Sequence, residues 1–101
     1  MDEEHDVRGT EPSLTGRLEA RENVVCRQVD DEWVLYDPVS EKMHVLNITA
    51  GLIWNHLDGT HAFDELVALV HEAFDPPAPA DVARRDVRAV LEQFFSAGLM
   101  A

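Results

Sequence analysis

The sequence predicts an α+β domain of winged-helix-like type, a three-stranded antiparallel sheet followed by three helices (βββααα). Three observations predict it. Three β-rich runs separated by short polar turns lie between residues 24 and 46. Three segments with helical spacing of apolar residues follow, between residues 48 and 97. The length of 101 residues fits one domain.

Residues 1–22 differ in composition from the rest of the chain. They hold seven acidic and three basic residues, together with Gly9, Pro12 and Gly16. This composition predicts a flexible acidic N-terminal tail, with a short helix over 14–21 as the alternative. The folded domain is then expected over residues 23–101.

The strands are predicted from β-rich runs and their turns. Val24–Val29 precedes the acidic turn 30–32, Trp33–Tyr36 is closed by Asp37-Pro38, and Lys42–Leu46 forms the third strand. In the third strand Met43 and Val45 share one face of the sheet, because side chains alternate along a strand. Lys42, His44 and Leu46 share the other face.

The helices are predicted from apolar periodicity and end signals. Asn47 is expected to cap a first helix running to Leu57, with Gly59 as its left-handed stop. A second helix begins near Phe63 and is broken by the prolines that follow Asp75. Ala62 is a poor cap for it. A third helix spans roughly 80–97 and is stopped by Gly98. Leu99 can then fold back onto the last turn of this helix.

The charge balance excludes several classes of partner. Twenty acidic against eight basic residues give a formal charge of -12. Such a chain repels nucleic-acid phosphates and anionic membranes, so neither is expected as a partner. There is no apolar run long enough for a transmembrane helix, and the acidic N-terminus is unlike a signal peptide. A cytoplasmic location is therefore expected.

No catalytic centre, cofactor site or metal site is predicted. The five histidines include no pair at the i, i+4 spacing of a metal-binding helix, and the single cysteine, Cys26, is expected to be an apolar filler. Phosphate-binding loops and nucleophile motifs are absent from the sequence. Trp33 and Trp54 are expected to pack in the core, with Trp54 near its edge.

A peptide-binding edge is the functional feature that the residues favour. An outer third strand has an unpaired edge that can accept an extended peptide as a fourth strand. The third helix would form the other wall. The peptide-binding residues are expected on the strand and on the helix: Lys42, Met43, His44, Val45, Leu46, Arg84, Arg85, Val87, Arg88, Leu91 and Phe95. The arginines could hold peptide carboxylates, or form a solvated face paired with Glu92 or Asp81.

An ordered set of motifs carries a family resemblance over about Val24 to Met100. The segment Leu46-Asn47-Ile48-Thr49-Ala50 with Ile53-Trp54 is followed by Leu57-Asp58-Gly59, Glu65-Leu66, Phe74-Asp75, Asp86-Val87 with Leu91, and Gly98-Leu99. This set resembles the PqqD family, small domains also called RiPP recognition elements. The resemblance implies a non-catalytic winged-helix domain that binds the leader of a ribosomally made precursor peptide along the third strand and third helix.

The resemblance also implies a partner enzyme. The leader would be presented to a radical SAM protein, a leader peptidase or a cyclase. One alternative is a winged-helix transcription regulator, although the second helix lacks Lys and Arg. The other is a docking subunit that binds an enzyme through the Trp54 region and binds no peptide. Homodimerisation through an exposed strand edge stays open.

Overall fold

The computed structural model describes residues 16–101 of the chain, so the part of the predicted tail over 1–15 lies outside the described residues. The described part holds five strands and three helices. The strands are β1 (Arg17–Glu19), β2 (Val25–Val29), β3 (Glu32–Asp37), β4 (Lys42–Leu46) and β5 (Asp58–Ala62). The helices are α1 (Ile48–Trp54), α2 (Phe63–Ala73) and α3 (Ala80–Ser96). The predicted α+β class with a three-stranded antiparallel sheet and three helices is confirmed.

The main sheet has the order β2-β3-β4, with all pairs antiparallel. Leu35 at its centre lies opposite Cys26 on one side and His44 on the other, and its side chain is fully buried. The alternate set of side chains, on the outer face, is largely exposed and includes Met43 and Val45. The predicted division of the third strand into two faces is therefore confirmed.

A second, two-stranded sheet was not predicted. β1 pairs antiparallel with β5, placing Arg17 opposite Ala62 and Leu18 opposite His61. Ala20 then forms an isolated bridge with Met100, and the Leu18 side chain is buried. Residues 17–20 therefore belong to the folded domain, and the predicted tail boundary at residue 22 is wrong for them, as is the helical alternative. Their pairing partner lies some 40 residues later in the chain, where local composition gives no sign of it.

The first helix begins as predicted and ends earlier. The side chain of Asn47 accepts a hydrogen bond from the Ala50 N–H at 2.8 Å. The helix ends at Trp54, with Asn55 as its C-cap, rather than at Leu57. Gly59 does have a positive φ of 85°, but it lies in β5 opposite β1 and does not stop the helix.

The other two helices have well-defined ends. At the start of α2 the Glu65 carboxylate accepts from the Ala62 N–H at 2.7 Å, which compensates for the alanine at the cap. At the end of α3 Gly98 has a φ of 74°, and the Leu99 N–H donates to the Phe94 carbonyl at 2.9 Å. This is the left-handed stop predicted for the third helix.

The core lies between the inner face of the main sheet and the helices. Four of its side chains are at most 1% exposed: Leu35, Ile53, Leu66 and Leu91. The Trp54 ring meets Phe94 edge to face, with centroids 5.2 Å apart, and the Trp33 ring lies directly against Gly51. Both tryptophans pack as predicted, and Trp54 is too buried to offer a docking surface.

Candidate functional site

The outer edge of β4 is one of the two unpaired edges of the main sheet in the described part of the chain, the other being that of β2. Within residues 16–101, β4 pairs with β3 on one side and with no strand on the other. Met43 and Val45, on the outer face of this strand, are 66% and 63% exposed. An unpaired edge with apolar side chains beside it can accept another extended chain.

A partly buried ion pair lies at the start of β4. The Asp37 carboxylate, 1% exposed at the end of β3, accepts from both terminal nitrogens of Arg21, at 2.9 and 3.2 Å. It also accepts from the Val39 N–H and the Ser40 hydroxyl in the following turn. Hydrogen bonding by Arg21 is the main reason why the pKa of Asp37 is lowered to about 2. Asp37 therefore links the turn that leads into β4 to Arg21 through hydrogen bonds.

The same arginine connects this turn to the end of α3. Arg21 Nη1 donates to the Gly98 carbonyl at 2.6 Å, just beyond the last turn of the helix. The β3–β4 turn and the C-terminal end of α3 thus share one guanidinium. This contact positions the two elements that were predicted to form the walls of the site.

The inner face of β4 is partly polar. Leu46 is buried and Lys42 is exposed, and His44 between them is half-buried. The Nε2 atom of His44 is shielded from solvent and has no hydrogen-bond partner among the described residues. A buried polar atom without a partner is uncommon, and this one lies directly behind the free edge.

Two of the predicted contacts on α3 are core residues. Val87 and Leu91 have no exposed surface, because they lie at the centre of the buried stripe that also contains Ala83 and Phe94. Their predicted role as direct walls of an open groove is therefore wrong for this conformation. Phe95, at the edge of the stripe, is half-buried and keeps accessible surface.

The arginines of α3 lie against α2. Arg84 pairs with Asp64 at 3.2 Å, instead of with Glu92 or Asp81. The guanidinium carbons of Arg84 and Arg88 each lie 5.3 Å from the ring centroid of Phe63. Arg85 is exposed. β4 packs on β3 and α1, so the described contacts do not bring Arg84 and Arg88 onto the strand.

The outer face of the sheet is an apolar surface that sequence reasoning missed. A shallow groove of about 390 Å³ lies elsewhere, between the β2–β3 hairpin and α1. On the outer face itself a depression of about 320 Å³ is lined by Val25, Arg27, Val29, Val34, Tyr36 and Met43. The sequence did contain a signal for this surface, since β2 and β3 carry apolar residues on both faces. A sheet that buries only one face has mainly polar residues on the face exposed to solvent.

The histidines and the cysteine form no metal-binding cluster in the described part of the chain. The His56 and His61 rings meet edge to face at 5.2 Å. Nearby, hydrogen bonds from Thr60 are the main reason why the pKa of Asp58 is lowered to about 2. Burial raises the pKa of the Cys26 thiol. Over residues 16–101 no group of three or more potential ligands is arranged to hold a metal ion.

No helix in that range is both long and apolar enough to cross a bilayer.

Comparison with protein families decides the classification. The family described as coenzyme PQQ synthesis protein D (PqqD) matches residues 32–100, which include β3, β4 and all three helices. The chain belongs to the PqqD family. Among curated proteins, no relative matches this sequence. The PqqD assignment is consistent with a recognition role rather than a catalytic one.

Two solved structures share the PqqD-like fold of this chain. One is TbiB1 in complex with the TbiA(beta) leader peptide, with a TM-score of 0.70 and 22% identity over 81% of this chain and 93% of that one. The other is a lasso peptide synthetase B1 complexed with the leader peptide. Its TM-score is 0.73, with 23% identity over 85% of this chain and 99% of that one. Both neighbours are therefore leader-peptide complexes.

Proposed function

We propose that this PqqD-family protein is a non-catalytic chaperone that binds the leader region of a ribosomally synthesised precursor peptide. It presents the precursor to a modifying enzyme, which would be a radical SAM protein, a leader peptidase or a cyclase. The free edge of β4, flanked by the exposed side chains of Met43 and Val45, is the observation that carries the proposal. The leader-peptide complexes of the two structural neighbours support it.

The binding mode that fits this edge is strand addition. The leader would lie antiparallel to β4 and extend the order β2-β3-β4 by one strand. Its alternate side chains would lie beside Met43 and Val45 on the outer face and beside Lys42 and His44 on the inner face. Main-chain hydrogen bonds would supply much of the affinity, and the side chains would supply the selectivity.

Helix α3 would contribute part of one wall of the leader site, together with positive charge. Phe95 offers accessible apolar surface, while Val87 and Leu91 support it from the core. The three arginines on α3 place positive charge on a chain whose formal charge is -12. All three are exposed, and together they would attract leader carboxylates electrostatically.

The role proposed for the domain is to raise the local concentration of the precursor at the enzyme. Tethering a substrate through its leader makes the encounter of the core peptide with the enzyme intramolecular. No bond is made or broken by this chain. The complex would form in the cytoplasm, where a ribosomally made precursor is released.

The proposal is tested by nuclear magnetic resonance titration of the labelled protein with its synthetic leader. We expect the largest amide shifts in Lys42–Leu46 and around Phe95. A leader N-methylated at every second residue should lose binding in one frame and keep it in the other, because only alternate amides of an added strand face β4. Equal effects in both frames, or shifts confined to β2 or β5, would contradict strand addition at β4.

A matched pair of substitutions controls for nonspecific effects. Val45→Pro places a residue without an N–H and with a restricted backbone in the strand that receives the leader. Val29→Pro makes the same change at the end of β2, on the opposite side of β3, where the side chain is 52% exposed. Circular dichroism identifies any unfolded variant. Loss of leader binding in the folded first variant and its retention in the second is the expected result.

A further inference from the structure

The outer face of the main sheet holds five of the seven large apolar side chains that are exposed in the described part of the chain. Five side chains on it, between 39% and 66% exposed, cover all three strands: Val25, Val29, Tyr36, Met43 and Val45. Contiguous apolar patches of this kind on a soluble protein usually mark an interaction surface. The patch extends across to β2, two strands away from the edge proposed to bind the leader.

The charges on this face are few and of opposite sign. Arg27 and Glu32 are both exposed and lie on the outer face, because Arg27 pairs with Val34 and Glu32 pairs with Val29 in the next row. They are therefore diagonal neighbours across β2 and β3. A twofold axis passing between them would place each Arg27 opposite the Glu32 of a second copy. The charges on this face would therefore be complementary to those on the same face of a second copy.

The size of the patch also suits a pair of copies. Five side chains that are about half exposed give several hundred Å² of apolar surface on each copy. Packed face to face, two such sheets would bury on the order of 1,000 Å² in total, close to the lower limit for a specific interface. The interface is thus large enough for a reversible dimer of moderate affinity.

We propose that two copies of this chain associate through the outer faces of their β2-β3-β4 sheets. The dimer covers Met43 and Val45 beside the free edge of β4 but leaves the backbone groups of that edge unpaired, so a leader can still add to it through main-chain hydrogen bonds. The proposal does not depend on leader binding. The formal charge of -12 on each copy opposes association at long range, and salt screens this repulsion. Dimerisation should therefore tighten as salt is added.

Sedimentation velocity of the full chain, from about 5 to about 500 µM, tests the proposal. We expect a concentration-dependent dimer. Its Kd should decrease when the NaCl concentration is raised from about 50 to about 500 mM. Val29→Lys should raise that Kd by about tenfold or more, because it places a charge in the apolar contact. Val39→Lys, the same change at an exposed turn residue off the sheet face, should leave the Kd unchanged.

A charge exchange separates a second copy from any other partner. Arg27→Glu and Glu32→Arg should each weaken the dimer, and the double variant should restore it, since the two residues meet across the twofold axis. A chain that remains monomeric throughout the concentration range overturns the proposal. So does a dimer that survives Val29→Lys and dissociates when leader is added, because that dimer pairs through β4. Leader affinity, measured separately, reports on the proposed function alone.

Discussion

The guanidinium of Arg21 donates to both carboxylate oxygens of Asp37, at 2.9 and 3.2 Å, and joins the N-terminal segment to the turn before β4. Its Nη1 also reaches the Gly98 carbonyl at the end of α3. Three segments distant in sequence thus meet at one side chain. Because the turn and the helix end flank the proposed peptide site, this arginine is expected to hold its geometry.

Replacing Arg21 with Met should destabilise the protein. The change keeps the aliphatic stem and leaves the buried Asp37 carboxylate with only the turn donors from Val39 and Ser40. We expect the melting temperature to fall by about 5 °C or more in a calorimetric scan. Arg85→Met, at an exposed arginine, is the matched control. Equal melting temperatures for the two variants would show that the ion pair contributes nothing to stability.

Acid should weaken the fold in a window set by Asp37. Its pKa is lowered from 3.8 to about 2 in the folded protein, so its contribution is present above about pH 4 and is lost as the pH falls towards 2. Urea midpoints measured from pH 5 to pH 2 should decrease with acid in the parent protein and less steeply in Asp37→Asn. Asp58 titrates in the same direction, so Asp58→Asn is measured in parallel. Parallel slopes for the parent and Asp37→Asn would refute this assignment.

Two truncations should differ sharply in stability. Removal of residues 1–15 leaves β1 and Arg21 intact, so the remaining chain is expected to fold. Removal of 1–22 deletes β1, the ion pair and the buried Leu18 side chain, which alone is worth about 2 kcal/mol. Denaturant unfolding of both variants measures the difference. Similar midpoints would mean that β1 is dispensable.

The shorter truncation also tests an effect on binding. It removes five acidic residues and one arginine. If the acidic segment competes with the leader for the arginines of α3, leader affinity measured by calorimetry should increase in this variant. An unchanged affinity would exclude that competition.

Gly51→Ala should be destabilising in spite of the better helix propensity of alanine. A Cβ at this position in α1 would collide with the indole ring of Trp33. We expect a net loss of about 1–2 kcal/mol, since overpacking outweighs the gain in propensity. In a Trp33→Val background the ring is absent, and the same change should cost much less. A double-mutant cycle by urea unfolding measures this coupling, and independent effects would argue against the contact.

The sequence predicts most of the fold through local signals. The meander is visible as β-rich runs between turn residues, and the caps at Asn47 and Gly98 act on backbone groups within one helical turn of themselves. Such features depend on neighbours in the chain, so they can be recognised without knowledge of the tertiary structure. The family motifs then place the segments in order.

The unpredicted parts depend on contacts between distant residues. β1 and β5 are short and polar, and each forms a strand because the other pairs with it. Asp37 and Pro38 indicate a turn, but the sequence does not show that Arg21 reaches that carboxylate. On α3, the stripe reveals which residues are apolar without distinguishing the fully buried Leu91 from the accessible Phe95.

The bridge between Ala20 and Met100 has a mechanical consequence. The Arg21 N–H donates to the Leu99 carbonyl, and the Ala101 N–H donates to the Glu19 carbonyl, so the two outgoing segments run antiparallel. A force that pulls the two ends apart loads these bonds one after another from Ala101 on the C-terminal side, and it loads the pairs between β1 and β5 on the N-terminal side. The main sheet begins only after these residues in the chain, so the force would reach it after the bonds between residues 19–21 and 99–101 have broken.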